Sequence, residues 1–152
     1  PTIIRAFSDG VIRRSPKTEL IGNILRNFAK MTFSSLITLL DESSLIIGTH
    51  YTKEEYLEMC EIIAPRFAKS IDSLSRYNVK SDYVLVDVTF PSKGAENGNQ
   101  KAQIYIRKFN LDEDSFYIVV LSLNPRTVKL VTESLPDLSF QLTELIRQFK
   151  SE

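Results

Sequence analysis

The chain has 152 residues, 43% hydrophobic and 25% charged, with 19 basic side chains balanced by 19 acidic ones. Zero net charge excludes a general nucleic-acid binder, which needs a basic excess for phosphate contacts, and the apolar fraction excludes a disordered tail. A single cysteine and a single histidine exclude a disulfide framework, a multi-cysteine zinc site and a polyhistidine metal centre.

The length predicts one domain, which buries roughly 70% of its unfolded surface. Residues 1–14 read as an N-terminal leader, locally basic through Arg5, Arg13 and Arg14 with Lys17 close behind, and residues 15–152 read as the domain. The opening Pro1-Thr2-Ile3-Ile4-Arg5-Ala6-Phe7 lacks the basic region and long apolar run of a secretory signal. No stretch approaches the ~20 apolar residues of a membrane span. The lone Cys60 fits a reducing compartment, so the expected location is the cytoplasm.

In chain order, Ser15-Pro16 opens a helix, serine capping free amides and proline occupying the position whose donor would be orphaned. Ile21, Ile24, Leu25 and Phe28 follow at helical spacing to about Lys30. Apolar runs at 34–40 and 45–50 flank the polar Asp41-Glu42-Ser43-Ser44 and predict a β-hairpin. Thr52-Lys53-Glu54-Glu55 matches a capping box ahead of a long helix that carries Tyr56, Cys60, Ile63, Phe67, Ile71 and Leu74, with Pro65 expected to kink or break it. A strand is expected over 83–90, a mobile hairpin loop over 91–100, a second strand over 102–109, an acidic turn at 111–114, and a most apolar, hence central, strand over 115–123. A helical segment follows Asn124-Pro125, and Pro136-Asp137 is expected to restart a closing amphipathic helix with Leu138, Leu142, Leu145, Ile146 and Phe149. The order α-β-β-α-β-β-β-α defines an α+β fold, a five-stranded antiparallel sheet flanked by helices in a two- or three-layer sandwich.

Reactive residues are sparse, and no catalytic constellation emerges. His50 ends a strand with no nucleophile placed beside it. Cys60 lies on an apolar helical stripe, the ordinary place for a small buried hydrophobe. Glu54, Glu58 and Glu61 share a helical face, read as a solvated face near the helix N-terminus or an acidic docking surface. Lys93-Gly94-Ala95-Glu96-Asn97-Gly98 lacks phosphate-loop spacing, because its lysine precedes the glycines and a strand follows. The expectation is therefore no enzyme, no metal and no cofactor.

The helix after the hairpin is apolar beyond one stripe, since Leu57, Met59, Ile62 and Ala64 widen it. A helix apolar around more than half its circumference is usually covered on two sides, and soluble proteins avoid leaving such a face open. The strand that follows is apolar on both faces through Tyr83, Val84, Leu85, Val86 and Val88, as an exposed edge normally is not. Together these features predict a symmetric dimer.

The element order, the hairpin Leu36-Ile37-Thr38-Leu39-Leu40-Asp41-Glu42-Ser43-Ser44-Leu45-Ile46-Ile47 and the strand Ser115-Phe116-Tyr117-Ile118-Val119-Val120-Leu121 resemble the roadblock family, relatives of dynein light chains that serve as platforms for small GTPases. Ser44 stands where the family's hairpin usually has glycine, and Pro136 interrupts what is usually one closing helix. The resemblance implies a non-catalytic adaptor or scaffold, a homodimer or half of a heterodimer with a paralogue. The partner would be a small GTPase or a cytoskeletal protein, engaged without nucleic acid or a membrane span. It also implies that this helix meets its symmetry mate and that the following strand joins two sheets, so Tyr56, Met59, Ile63, Phe67, Tyr83 and Leu85 are the expected partner-binding residues. Alternatives are a profilin-like binder of actin or another cytoskeletal protein, although profilins usually use a tryptophan this chain lacks, and a longin-like trafficking subunit, although longins begin with strands.

Overall fold

A computed structural model describes residues 16–78, 82–94 and 96–150. The expected leader and the Ser15 cap lie outside the described residues. The elements are α1 (Pro16–Thr32), β1 (Leu36–Asp41), β2 (Ile46–Tyr51), α2 (Glu54–Ser75), β3 (Tyr83–Pro91), a 3-10 turn (Glu96–Gly98), β4 (Asn99–Leu111), β5 (Asp114–Ser122) and α3 (Thr127–Lys150). The five strands form one sheet in the order β2-β1-β5-β4-β3, with every neighbouring pair antiparallel. This is the expected α-β-β-α-β-β-β-α order, with the most apolar strand at its centre.

Alternation on β5 shows how the layers form. Ile118 and Val120 join a core with Ile21, Leu25 and Phe28 of α1 and Val131, Leu138 and Leu142 of α3. Tyr117, Val119 and Leu121 join the opposite core with Tyr56, Cys60, Ala64, Ala68 and Ile71 of α2. Successive strand residues point to opposite faces, so a strand apolar at every position needs cover on both sides. Two helices supply that cover on one face and α2 on the other, giving a three-layer sandwich.

Neither proline breaks its helix. Pro136 lies inside one continuous α3 rather than at a restart, and Pro65 lies inside one continuous α2. An interior proline costs about 3 kcal/mol. In α3, buried Val131 and Leu135 precede Pro136, while buried Leu138 and Leu142 follow it on the same stripe. Both halves are thus held to one sheet face, and packing, which supplies most helical stability in proteins, outweighs the missing bond. The capping box is not formed either. Lys53 is the N-cap residue of α2 and makes no side-chain cap bond, while Thr52 Oγ1 donates to the Ser35 carbonyl at 3.3 Å. The hydroxyl ties the helix start to the neighbouring connection instead.

The β1–β2 hairpin turns as expected. Asp41 Oδ1 accepts from the backbone N–H groups of Ser43 (2.8 Å) and Leu45 (2.9 Å), and Ser44 holds φ 67°, the left-handed conformation that favours glycine. The register steps from Leu39↔Gly48 to Leu40↔Ile46, leaving Ile47 as a bulge on β2.

Candidate partner interface

The two sheet edges differ. β2 is six residues long and bulged, as guarded edges are. β3 is nine residues long and pairs with β4 in unbroken register from Tyr83↔Arg107 to Pro91↔Asn99. Lys108 N donates to the Asp82 carbonyl at 2.8 Å, which makes the opposed positions 82 and 108 a hydrogen-bonded pair. By alternation the N–H and C=O groups of Tyr83, Leu85, Asp87 and Thr89 point away from β4. Among the described residues no strand pairs with that side.

α2 lies beside this edge. Its innermost line is Cys60, Ala64, Ala68 and Ile71, small residues that let the helix approach the sheet closely. One flank, Leu57, Glu61, Ala64 and Pro65, lines a cavity of about 90 Å³ against Thr38, Leu40, Ser44 and Ile46 of the first hairpin. The other flank, Met59, Ile63 and Phe67, is partly buried with Val84, Val88 and Phe90 of β3. Ile62, one step further round, is 64% exposed.

The six expected residues therefore divide. Tyr56 is buried in the chain's own core, edge-to-face with Phe90 at 6.0 Å between ring centroids. Met59, Ile63 and Phe67 form the half-buried flank facing the β3 edge. Tyr83 and Leu85, 52% and 43% exposed, sit on the opposite face of the sheet, because Leu85 pairs with Tyr105 of the α1/α3 core. There the Tyr83 ring lies 5.7 Å from that of Tyr105 and beneath the Arg107 guanidinium at 5.8 Å, and Arg107 Nη1 donates to Tyr105 Oη at 2.9 Å. Val84, Val86 and Val88 are the strand positions on the same face as the α2 flank. They were missing from the expected set because a strand apolar on both faces does not reveal which side its helix covers.

The remaining candidate groups are chemically quiet. Burial pushes the Cys60 thiol up to about 12, which keeps it protonated and unreactive at neutral pH. His50 is partly buried, and its imidazole is held below its ordinary value by burial first and then by the charges of Arg26 and Lys30. Asp72 at the end of α2 meets Lys108 Nζ at 3.1 Å. Burial opposes its ionisation, but the nearby Tyr117 hydroxyl, the hydrogen bond from Lys108 and the charges of Lys108 and Arg76 outweigh burial and hold the carboxyl below its usual value. Among the described residues no group of three His, Cys, Asp or Glu side chains could hold a metal ion, and no helix is long and apolar enough to cross a membrane.

A three-layer α+β sandwich with sheet order β2-β1-β5-β4-β3 and, among the described residues, α2 alone on one face is the roadblock-type architecture that the sequence resembled. MglB from Myxococcus xanthus matches this chain with a TM-score of 0.60 at 13% identity, over 88% of this chain and 92% of that one. An MglB structure described as having a tetrameric arrangement matches with a TM-score of 0.60 at 10% identity, over 88% and 93% of the two chains. A Roadblock/LC7 domain from Streptomyces avermitilis matches at 11% identity over 77% of this chain and 96% of that one, with a TM-score of 0.45. No protein-family model matches the chain, and no curated protein matches it in sequence. At these identities the likeness is one of fold.

Proposed function

We propose that this chain is a non-catalytic platform that regulates or scaffolds a small GTPase, and that it works as a two-fold dimer built through β3 and the outer flank of α2. The observation that carries the reading is the juxtaposition of a long, regular, open strand edge with the apolar flank Met59, Ile62, Ile63 and Phe67 on the same side of the molecule. Antiparallel pairing of β3 with its copy about a two-fold axis brings the two α2 flanks side by side. It satisfies the outward backbone groups and covers Ile62 in one step. The GTPase assignment is supported by the MglB-like fold and by the roadblock resemblance of the sequence. Self-association is in keeping with the tetrameric arrangement described for one MglB structure.

Light scattering on the size-exclusion peak at micromolar concentration is expected to give twice the chain mass of 17.4 kDa. Leu85→Pro removes an outward N–H that β4 does not use, a substitution an edge strand tolerates when that side faces solvent. It should give a folded monomer. A monomeric parent chain overturns the dimer, and a dimer unchanged by Leu85→Pro overturns the β3 edge as its interface. GTPase engagement is tested by capture of small GTPases loaded with GTP or GDP, with equal failure in both states counting against it.

A further inference from the structure

α1 and α3 do not cover the whole of their sheet face. α1 lies over β2 and β1, α3 lies over β4, and both share a core with Ile118 and Val120 of β5. A helix with its side chains is about 10 Å wide, the width of two strands at roughly 4.8 Å spacing. Two helices therefore roof four strands of the five. The strand left over is β3. On this face it presents Tyr83, Leu85, Asp87 and Thr89, and all four are exposed. Clefts open at both ends of this strip, on its α3 side. One, of about 530 Å³, runs from Asp87 and Thr89 over Gln103 to Asn124 and Pro125. The other, of about 360 Å³, lies between Asp82 and Arg107 on the sheet and Leu135, Pro136 and Ser139 of α3. Arg107, partly buried, is positioned there from three elements. Its guanidinium lies 5.8 Å over the Tyr83 ring of β3, it donates to Tyr105 Oη of β4 at 2.9 Å, and that oxygen lies 3.4 Å from Thr132 Oγ1 of α3. These partners are neutral, and among the described residues no carboxylate pairs with Arg107. A guanidinium fixed in place with donors to spare suits a carboxylate supplied from outside.

Pairing of β3 with its copy does not roof this strip. Antiparallel edge pairing about a two-fold axis keeps like faces together, so the bare strips of the two copies lie side by side, on the face away from α2. Two bare strands are together about 10 Å wide, with an α3 helix on either side. We propose that this slot takes one amphipathic helix from a partner protein, with its apolar stripe on Tyr83 and Leu85 of both copies and an acidic residue at Arg107. The inference rests on the β3 dimer, because a single chain offers only half the slot. The strip from Tyr83 to Thr89 is about 20 Å long, the length of about 13 helical residues. The chain's own residues 1–14 make a poorer occupant. Two-fold symmetry brings two such segments to a slot one helix wide, and their three arginines against one aspartate add like charge beside Arg107.

The probe is a phage-displayed library of helical peptides of about 18 residues, selected against the full chain. Enriched sequences should repeat an apolar residue every three or four positions, with aspartate or glutamate beside that stripe. Titration calorimetry should give one peptide per two chains. Leu85→Ser keeps the outward N–H, and hence the dimer, and should weaken the selected peptides about tenfold or more. Arg107→Gln should weaken them about tenfold, and that loss should vanish for a peptide whose acidic residue is replaced by glutamine. Peptides that ignore both substitutions, bind one per chain or share no apolar stripe overturn the inference. So does a parent chain that selects nothing, and selection regained in Phe7→Asp then assigns the slot to the leader. Light scattering keeps the two readings apart. A monomeric parent overturns the dimer and the slot with it, whereas a dimer that binds no helix overturns the slot alone. Four chain masses that fall to two in Leu85→Ser assign the slot to a second dimer and overturn the partner helix.

Discussion

α1 crosses the first hairpin where β2 carries Gly48. A Cβ placed on Gly48 would lie 2.5 Å from Ile21 Cγ2 and 3.2 Å from Leu25 Cδ1. Ile21 is β-branched and buried, and its own Cβ lies 3.5 Å from the same point, so its methyl cannot clear the contact by a small rotation. α1 must lift or tilt. Overpacking of this kind costs about 1–3 kcal/mol, and the reduced freedom of the unfolded chain returns roughly 0.4–1 kcal/mol when glycine becomes alanine. The expected net loss for Gly48→Ala is about 1–2 kcal/mol, a fall in melting temperature of roughly 2–8 °C for a chain of this size. Calorimetry or thermal circular dichroism reads the shift. Ile21→Ala removes the obstructing methyl, so the double variant should lose less than the sum of the single changes, with a coupling of about 1 kcal/mol. A neutral Gly48→Ala, or strict additivity with Ile21→Ala, would show that α1 is not seated on the glycine.

Ser44→Gly should stabilise the fold by about 0.5–1 kcal/mol, since Ser44 holds φ 67° in the hairpin turn; a lower melting temperature would contradict this. The single His50 gives one imidazole NMR titration, and its midpoint should fall below the ordinary histidine value because burial, then Arg26, then Lys30 disfavour its charged form. A lowered folded pKa means that the histidine's contribution to stability is present above the ordinary value and lost as pH falls through the folded one, so His50→Gln should flatten that part of the stability profile. Arg26→Gln should move the midpoint upward, and a midpoint at or above the ordinary value refutes the reasoning. Asp72, whose carboxyl is held low against the opposing effect of burial, follows the same direction further into acid. Asp72→Asn should reduce the loss of stability below the ordinary carboxylate range, as read by urea melts across that range.

Period-two and helical apolar patterns made most of the fold legible in the sequence. The centrality of β5 followed from its unbroken apolar run, because only a strand covered on both faces is apolar at every position. Two local signals misled. Thr52-Lys53-Glu54-Glu55 has the spacing of a cap, but Ser35, seventeen residues earlier, offers the Thr52 hydroxyl a carbonyl, a partner that local sequence cannot show. Pro136 is a strong local breaker overruled by tertiary packing on either side. The candidate interface was half legible for a related reason. The stripe through Tyr56, Ile63 and Phe67 located the helix, yet the sheet takes Tyr56 for its own core. Small residues at 60, 64 and 68 set the helix's rotation, leaving Ile62 outermost.

The asymmetry of the edges sharpens the dimer proposal. Proteins blunt exposed edges with short strands, bulges and charge. β2 has a short strand and the Ile47 bulge, and Arg26 and Lys30 stand close enough to His50 on that strand to disfavour its protonation. Because antiparallel edge pairing about a two-fold axis keeps like faces together, two β2 edges would bring these cations toward their own copies. β3 carries no bulge, and four of its residues direct backbone groups outward along a valine-rich ribbon. A monomer with such an edge risks indiscriminate strand addition. In the proposed dimer, pairing with one copy would consume the edge and bury the adjoining α2 flank, which would account for one side of the sheet being guarded and the other open among the described residues.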